Sequence, residues 1–425
     1  DFVGSVDEAA EAVRAALARA TELRMLRSEV DVGSYLSGGL DSSLIATLGL
    51  AAKGSGFHTF SLRFADAEYD EGHFQRLMSE RLGTTHHELT VTRGDIARVF
   101  PQVVWHAERP ILRTAPAPMF LLSGLVREHG IKVVLTGEGA DEMFAGYDLF
   151  REGAIRRFWG REPQSTQRPR LLDKLYPYLA RSPVAQRAMA QRFFGQGIER
   201  WREPGFGHDL RWRTTAAVKR LLTPAMRGTE DAVAALVAGL PAEFAGWSAL
   251  AQDQYVEVRT LLSGYLLSAQ GDRMLMGNSI EGRFPFLDRE VMALAGQLPA
   301  SYKLRGLDEK HVLKRLGREL VPAEILARPK QPYRAPDALA FIGEGAEWCD
   351  EVMSAELTAQ AGVFEPAAVA QLWAKCKAKA AGQFSNTDNM AVVGVMSTHV
   401  VWRDLIAASP STRVPATIRT VIERA

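Results

Sequence analysis

Residues 34–48 read SYLSGGLDSSLIATL: an apolar run breaks into two glycines, three hydroxyls and an aspartate, then resumes as an apolar stretch. This junction constrains the fold more than any other segment. A strand that ends in a glycine-rich turn and leads into a helix creates an anion site, because glycines let backbone N–H groups approach a ligand and the helix N-terminus adds partial positive charge. Ser37, Ser42 and Ser43 add hydroxyl donors. The loop lacks the GK[ST] ending of a Walker loop, so the usual lysine grip on phosphates is missing. Asp41 sits there instead, and a carboxylate beside phosphates is repulsive unless a divalent cation, Mg²⁺ by expectation, lies between them. A plain strand–turn–helix with Asp41 as a helix cap is the competing reading.

The flanking segments continue the pattern. Residues 7–27 repeat apolar positions at helical spacing. VDVGSYL, FHTFSLRF and HHELTV read as strands, while SSLIATLGLAAKG, EGHFQRLMSERLG and PMFLLSGLVREHG read as helices with glycine stops. IKVVL is a fourth strand, again running into glycines and acids. Strands alternating with helices over the first 150 residues predict an α/β fold with a doubly wound parallel sheet. From about Phe150 to Pro241 the chain turns arginine-rich and helical, and its most basic run, REGAIRRFWGREPQSTQRPRLLDK, reads as a solvated surface. Beyond Ala242 the sequence reads as mostly helical, with SPSTRVP near the C-terminus as loop.

With 425 residues, 47% of them hydrophobic and 24% charged, the chain has ample material for a core. Fifty-one basic against fifty acidic side chains offer no support for a nucleic-acid or membrane partner. The two cysteines, Cys349 and Cys376, form no CxxC pair, which argues against a disulfide scaffold or a zinc ribbon and makes a reducing cytoplasm the expected compartment. No apolar stretch reads as a membrane span and no signal peptide is evident.

VVLTGEGADEMFAGY repeats the design of the first loop. In an open α/β sheet ligands sit at the carboxyl ends of strands, so both loops are expected to face one site, with Asp41 and Asp141 sharing a metal. Glu138 lies between Gly137 and Gly139, which suits a carboxylate that must reach a reacting centre. Three later stretches stand out: GDRMLMGNSIEGRFPFLD, EKHVLKRL and RPKQPYRAP. In the last, Pro329 and Pro332 bracket Lys330 and are expected to stiffen its loop, leaving a fixed charge for a departing pyrophosphate.

SGGLDSS resembles the pyrophosphate-binding loop of the N-type ATP pyrophosphatases. Together with YDE, LGTTHHEL, TGEGADE, GNSIEGRFPFLD and RPKQPYRAP, in that order, it resembles the synthetase domain of glutamine-dependent asparagine synthetases over roughly Leu23 to Arg403. That resemblance implies an enzyme in which ATP adenylates a carboxylate, by default the side chain of aspartate, before ammonia attacks to give an amide and AMP. It implies that Ser37, Gly38, Gly39, Asp41 and Ser42 hold the pyrophosphate and Mg²⁺, and that Leu36, Leu62, Thr136 and Gly137 contact the adenosine portion. Glu138 matches the glutamate linked to intermediate formation and amine deprotonation, Asp141 a metal-linked acid, and Lys330 the lysine that stabilises charge near the α-phosphate. The implied organisation is an entry helix at 1–27, an ATP-binding core at 28–150, a variable arginine-rich segment at 151–241 and a helical portion at 242–425 that completes the site. A homodimer is compatible with this resemblance.

Two departures bear on the substrate. Where bacterial asparagine synthetases place an aspartate and an arginine that bind the amino acid, this chain aligns Leu267 and Gln270, leaving Asp272 and Arg273 as nearby candidates. The chain also opens at Asp1, directly before the helix that follows the family's glutaminase domain. Excision from a longer protein is the preferred expectation, ahead of free ammonia, a separate partner glutaminase or a different amine. The alternatives are adenylation of a non-aspartate acceptor, as in natural-product amidotransferases and β-lactam or lasso-type cyclases, and an idle ATP-binding scaffold.

Overall fold

The computed structural model describes residues 2–66, 68–176, 187–328, 330, 333–378 and 384–408. Ser5 opens the first helix, α1 (Val6–Leu26), with a reciprocal capping box: its hydroxyl accepts from Glu8 N, and the Glu8 carboxylate accepts from Ser5 N. The strands β1 (Val32–Tyr35), β2 (His58–Phe64), β3 (Thr85–Val91) and β4 (Val133–Leu135) fall where the apolar runs predict them. They alternate with α2 (Leu40–Lys53), α3 (Gly72–Leu82), α4 (Arg93–Ala107) and α5 (Pro116–Glu128). Gly54 and Gly83 stop α2 and α3 with φ of 90° and 63°, a conformation that favours glycine.

The sheet is parallel throughout, in the order β3-β2-β1-β4-β5, where β5 is Glu281–Arg283. Chain order runs outward in one direction from β1 and in the other from β4. The two central strands therefore flank the switch point at which open sheets bind ligands. Val32, Leu36, Val133 and Leu135 pack with Val13 and Leu17 of α1 and Leu44 and Ile45 of α2. Tyr35, Phe60, Leu62 and Val134 pack on the other face with Phe100 and Val104 of α4, Phe120 of α5, and Val393 and Met396 near the C-terminus. Burial on both faces is what a doubly wound sheet requires.

The region beyond Ala242 is mostly helical as expected, and within it GNSIEGRF supplies β5, whose Leu135↔Arg283 pairing completes the sheet. Two expectations need correction. The arginine-rich run is not a uniformly solvated surface. After the short helix α6 (Ala140–Phe144), it begins within α7 (Asp148–Gly160). There Arg156 is fully buried and donates to the carbonyls of Phe194, Phe206 and Gln196, while Arg157 forks onto Asp253 at 2.6 and 2.7 Å. Ile155, Trp159, Phe194, Phe206 and Leu210 form a separate small core around that buried guanidinium. Finally, the helix Asn386–Ala407 is long and apolar enough to qualify as a membrane span, although 56% of its apolar window is buried inside the protein. Both cysteines are buried, and neither is in a disulfide. SPSTRVP, Pro329 and Pro332 lie outside the described residues.

Candidate active site

The two glycine loops meet at the carboxyl ends of β1 and β4. Gly38 has φ 73° and passes so close to α3 that a Cβ there would lie 2.7 Å from Phe74 Cβ and 2.8 Å from Gln75 N. Gly137 lies equally tight against the first loop, since its Cβ would fall 3.0 Å from Asp41 Cβ and 3.1 Å from Ser42 N. Gly139, φ 93°, leaves no room for a side chain against Leu287. These glycines bring two strand tips into contact. The first loop is wound by its own hydroxyls: Ser42 Oγ accepts from Ser37 N at 3.1 Å and lies 2.9 Å from Ser37 Oγ.

Asp41, in the first turn of α2, and Asp141, in the first turn of α6, are both 8% exposed. Lys310 Nζ lies between them, 2.5 Å from Asp41 Oδ2 and 2.5 Å from Asp141 Oδ1. Lys330 Nζ lies 2.7 Å from Asp141 Oδ2 and 3.9 Å from Asp41 Oδ2. Two acids and two lysines from four separate segments thus share one cluster. Burial pushes the Asp141 carboxyl up, but the two ammonium groups overcome it and hold the group below its ordinary value. Burial pulls Lys330 down, and Asp141 and Asp41 more than reverse this, holding it above its ordinary range.

Glu138 stands over the cluster, its N–H 3.4 Å from Thr136 Oγ1. Burial pushes its carboxyl up to about 7; Lys330 opposes that shift, and Asp141 and Asp41 add to it. Glu142, 1% exposed, is pushed up to about 8 by burial, then by Asp141 and Glu138, and accepts from Tyr147 OH at 2.8 Å. Thr136 N donates to Arg283 O at 3.0 Å, so β5 steadies the second loop. Leu36 and Leu62 are packed into the cores on either side of the sheet, with Leu36 N held by Phe60 O and Leu62 O by Gln75 Nε2.

The remaining sequence-derived candidates lie elsewhere. Arg273 donates to His106 O at 2.9 Å and pairs with Glu108 at 2.7 Å, at the C-terminal end of α4. Asp272 beside it is exposed, and Gln270 is buried in the helical segment Val258–Asp272. These three do not join the acid–lysine cluster among the described residues. Sequence reasoning also missed Lys310. EKHVLKRL stands out in the sequence without a role for its lysines, yet Lys310 is 2% exposed and adopts φ 51° just before the helix His311–Leu316. Gly146 makes room for it, since a Cβ there would sit 2.0 Å from both Lys310 Cε and Asp141 Oδ1. Arg328 was missed as well; it pairs with Glu71, donates to Gly38 O at 3.2 Å and stacks over Phe74 at 4.4 Å, tying the Lys330 segment to the first loop.

The donor set suits a hard cation. Asp41 Oδ1 is buried without a hydrogen-bond partner. Asp41 and Asp141 bring two carboxylates to one cleft, and Mg²⁺ is an ion that one or two carboxylates hold with water and phosphate oxygens supplying the rest.

Residues 12–402 match the asparagine synthase family. The chain belongs to that family. It is 32% identical over 324 residues to a putative glutamine-hydrolysing asparagine synthetase of Mycobacterium tuberculosis, covering 76% of this chain and 48% of that protein. It is 26% identical over 363 residues to glutamine-hydrolysing asparagine synthetase 1 of Bacillus subtilis, covering 83% and 54%. An amidase of Penicillium rubens is 28% identical over 362 residues, covering 78% and 53%. The chain spans about half the length of these curated relatives.

Proposed function

We propose that this chain is the synthetase portion of an AMP-forming carbon–nitrogen ligase. The observation that carries the reading is the convergence of Asp41, Asp141, Lys310 and Lys330 between two glycine-rich strand tips. In the proposed reaction a carboxylate oxygen of the acceptor bonds to the α-phosphorus of ATP, the bond to the β-phosphate bridge breaks, and pyrophosphate departs with the electron pair. Ammonia then attacks the acyl carbon, a proton passes to a base, and the bond to AMP breaks.

Each role follows from position. The α2 N-terminus with Ser37, Gly38, Gly39 and Ser42 offers N–H and hydroxyl donors to the pyrophosphate. Thr136 and Gly137 border the same cleft and would contact the nucleotide. Asp41 and Asp141 would hold Mg²⁺, which when bound neutralises phosphate charge and polarises the phosphoryl group. Lys330 and Lys310 supply fixed positive charge where negative charge develops. Glu138, with a carboxyl near neutrality, accepts the proton released by the attacking amine. The names of the relatives favour glutamine as the origin of the ammonia, delivered by a glutaminase in cis or as a partner.

Aspartate is the default acceptor for this family. A second reading, with a different acceptor, is favoured by the uncharged Leu267 and Gln270, by the pairing of Arg273 with Glu108 and by the amidase relative. The test is pyrophosphate exchange into ATP under Mg²⁺, with aspartate and a broad carboxylate panel. Exchange that requires both Mg²⁺ and a specific carboxylate is expected. A protein that binds ATP yet exchanges with none of them refutes the ligase.

A further inference from the structure

EKHVLKRL gives Lys310 to the cleft, but its other basic residues face a different space. His311, Lys314, Arg315 and Arg318 recur at i, i+3, i+4 and i+7, the spacing of one helix face. A basic run of this kind is ordinarily solvated. Here it lines a cavity of about 320 Å³, shared with Ala323, Leu326 and Ala327 of the helix Ala323–Ala327. That volume is at the small end of the range for ligand pockets.

The charges in the cavity are unequally matched. Asp308 is the acid among the described lining residues, and its carboxylate is divided: Oδ2 lies 2.7 Å from His311 Nδ1 and Oδ1 lies 2.7 Å from Lys314 Nζ. Lys314 also reaches Glu309 at 3.1 Å. Arg315 pairs with Asp7 at 2.5 Å, but that acid is 68% exposed, and pairs of this surface kind contribute little. Arg318 is exposed and has no ion pair or hydrogen bond from its side chain among the described residues. His311 Nε2 is buried with no hydrogen-bond partner. With Nδ1 engaged by Asp308, that nitrogen is a bare acceptor in the neutral ring and an unused donor in the imidazolium. One shared acid, a cation without an acid and an orphaned ring nitrogen therefore meet in one cavity.

An anion completes this set, and a phosphate monoester does so better than a carboxylate. It carries nearly two negative charges and three acceptor oxygens, enough for donors arriving from several residues. Its monoanion also has a P–O–H to give to a bare Nε2. Ala323, Leu326 and Ala327 offer an uncharged wall to the carbon body of the ester. The cavity also adjoins the acid–lysine cluster along the chain. Asp308 N donates to Arg305 O at 3.1 Å and Arg305 N to Asp308 O at 3.0 Å, closing the turn that leads into Lys310. An anion that draws His311 and Lys314 from Asp308 acts on that turn.

We propose that this cavity is an effector site for a small phosphate monoester, separate from the nucleotide cleft, and that its occupancy alters the reaction there through Asp308 and Lys310. The effector role rests on the adenylation reading; the binding does not. The test is calorimetric titration of the full chain, held in saturating Mg²⁺ and ATP without an acceptor, using phenyl phosphate as probe and benzoate as the carboxylate control. Phenyl phosphate is expected to bind with ATP in place, and benzoate roughly tenfold more weakly. Arg318→Glu should weaken phenyl phosphate by roughly tenfold or more while ATP affinity and melting temperature stay unchanged, because Arg318 is exposed and unpaired. Lys330→Met should weaken ATP and leave phenyl phosphate binding intact. In pyrophosphate exchange, phenyl phosphate should shift KM for ATP at least about twofold in wild type and not in Arg318→Glu. No binding, binding lost when ATP fills the cleft, or indifference of Arg318→Glu overturns the site. Binding that leaves exchange unchanged overturns the effector role. Absence of exchange with every carboxylate overturns the ligase and the effector role together, and the titration still decides the site.

Discussion

Glu138→Gln separates the two halves of the proposed reaction. The Glu138 carboxyl sits at about 7, pushed up by burial, restrained by Lys330 and pushed again by Asp141 and Asp41. It acts as a base only when deprotonated. A group with that pKa is about half ionised at pH 7 and about one-tenth ionised at pH 6, so amide formation should fall about tenfold per pH unit below 7 and level off above it. Pyrophosphate exchange needs no amine deprotonation and should lack this limb. Replacing the base should slow amide formation by roughly 10²- to 10⁴-fold while exchange stays within about threefold. The assay is amide release and pyrophosphate exchange measured in parallel from pH 5.5 to 9, ~0.5 apart, on wild type and variant. The ammonium/ammonia equilibrium affects both proteins equally, so the ratio of their rates isolates Glu138. The reasoning is refuted if the ratio is flat across this range, or if exchange and amide formation collapse together in the variant.

Gly146→Ala should abolish exchange while leaving the circular dichroism spectrum intact, because its Cβ would sit 2.0 Å from Lys310 Cε and Asp141 Oδ1. Lys310→Met leaves Asp41 and Asp141 facing each other with Lys330 alone, and should cost roughly 3–5 kcal/mol in urea unfolding, partly restored by adding Asp41→Asn. Arg156→Met strips the buried carbonyls of Phe194, Gln196 and Phe206 of their donor, and should lower stability by roughly 3 kcal/mol or more. Lys303 is 5% exposed and burial pulls it down to about 8, below its unfolded 10.5, so the unfolded chain binds more protons between those values. Wild type should therefore gain on the order of 3 kcal/mol relative to Lys303→Met as pH rises from 8 to 10.5, measured by denaturant melts at each pH.

What the sequence made legible is local. The glycine loops, their hydroxyls and acids, and the strands that feed them lie within a few residues of one another, so spacing alone placed Asp41 and Asp141 at adjacent strand tips. β5 escaped because three residues of GNSIEGRF carry no strand pattern of their own, and their conformation comes from pairing with β4 far earlier in the chain. Lys310 escaped because its burial depends on Gly146 and on two acids from distant loops. Arg156 escaped for a related reason: a basic run reads as solvated unless the carbonyls that receive it, 38 to 50 residues away, are known. Arg273 was nominated for proximity in sequence to the substrate-binding positions, and its partners, His106 O and Glu108, lie about 165 residues earlier, where spacing gives no hint of them.

The charge balance of the cluster explains why this arrangement suits a triphosphate bound with a cation. Two buried carboxylates, the buried Lys310 ammonium and the partly exposed Lys330 ammonium pair with one another in the protein alone, which is the condition for keeping ions out of water at tolerable cost. A magnesium nucleotide carries both signs as well. When it enters, each carboxylate can exchange an ammonium for the metal, and each lysine can exchange a carboxylate for a phosphate oxygen. No buried charge is left alone at either end of that exchange. Triphosphate without the cation offers partners to the lysines and none to Asp41 or Asp141. On the proposed reading, the need for a divalent ion would rest on the same four side chains that join the two strand tips.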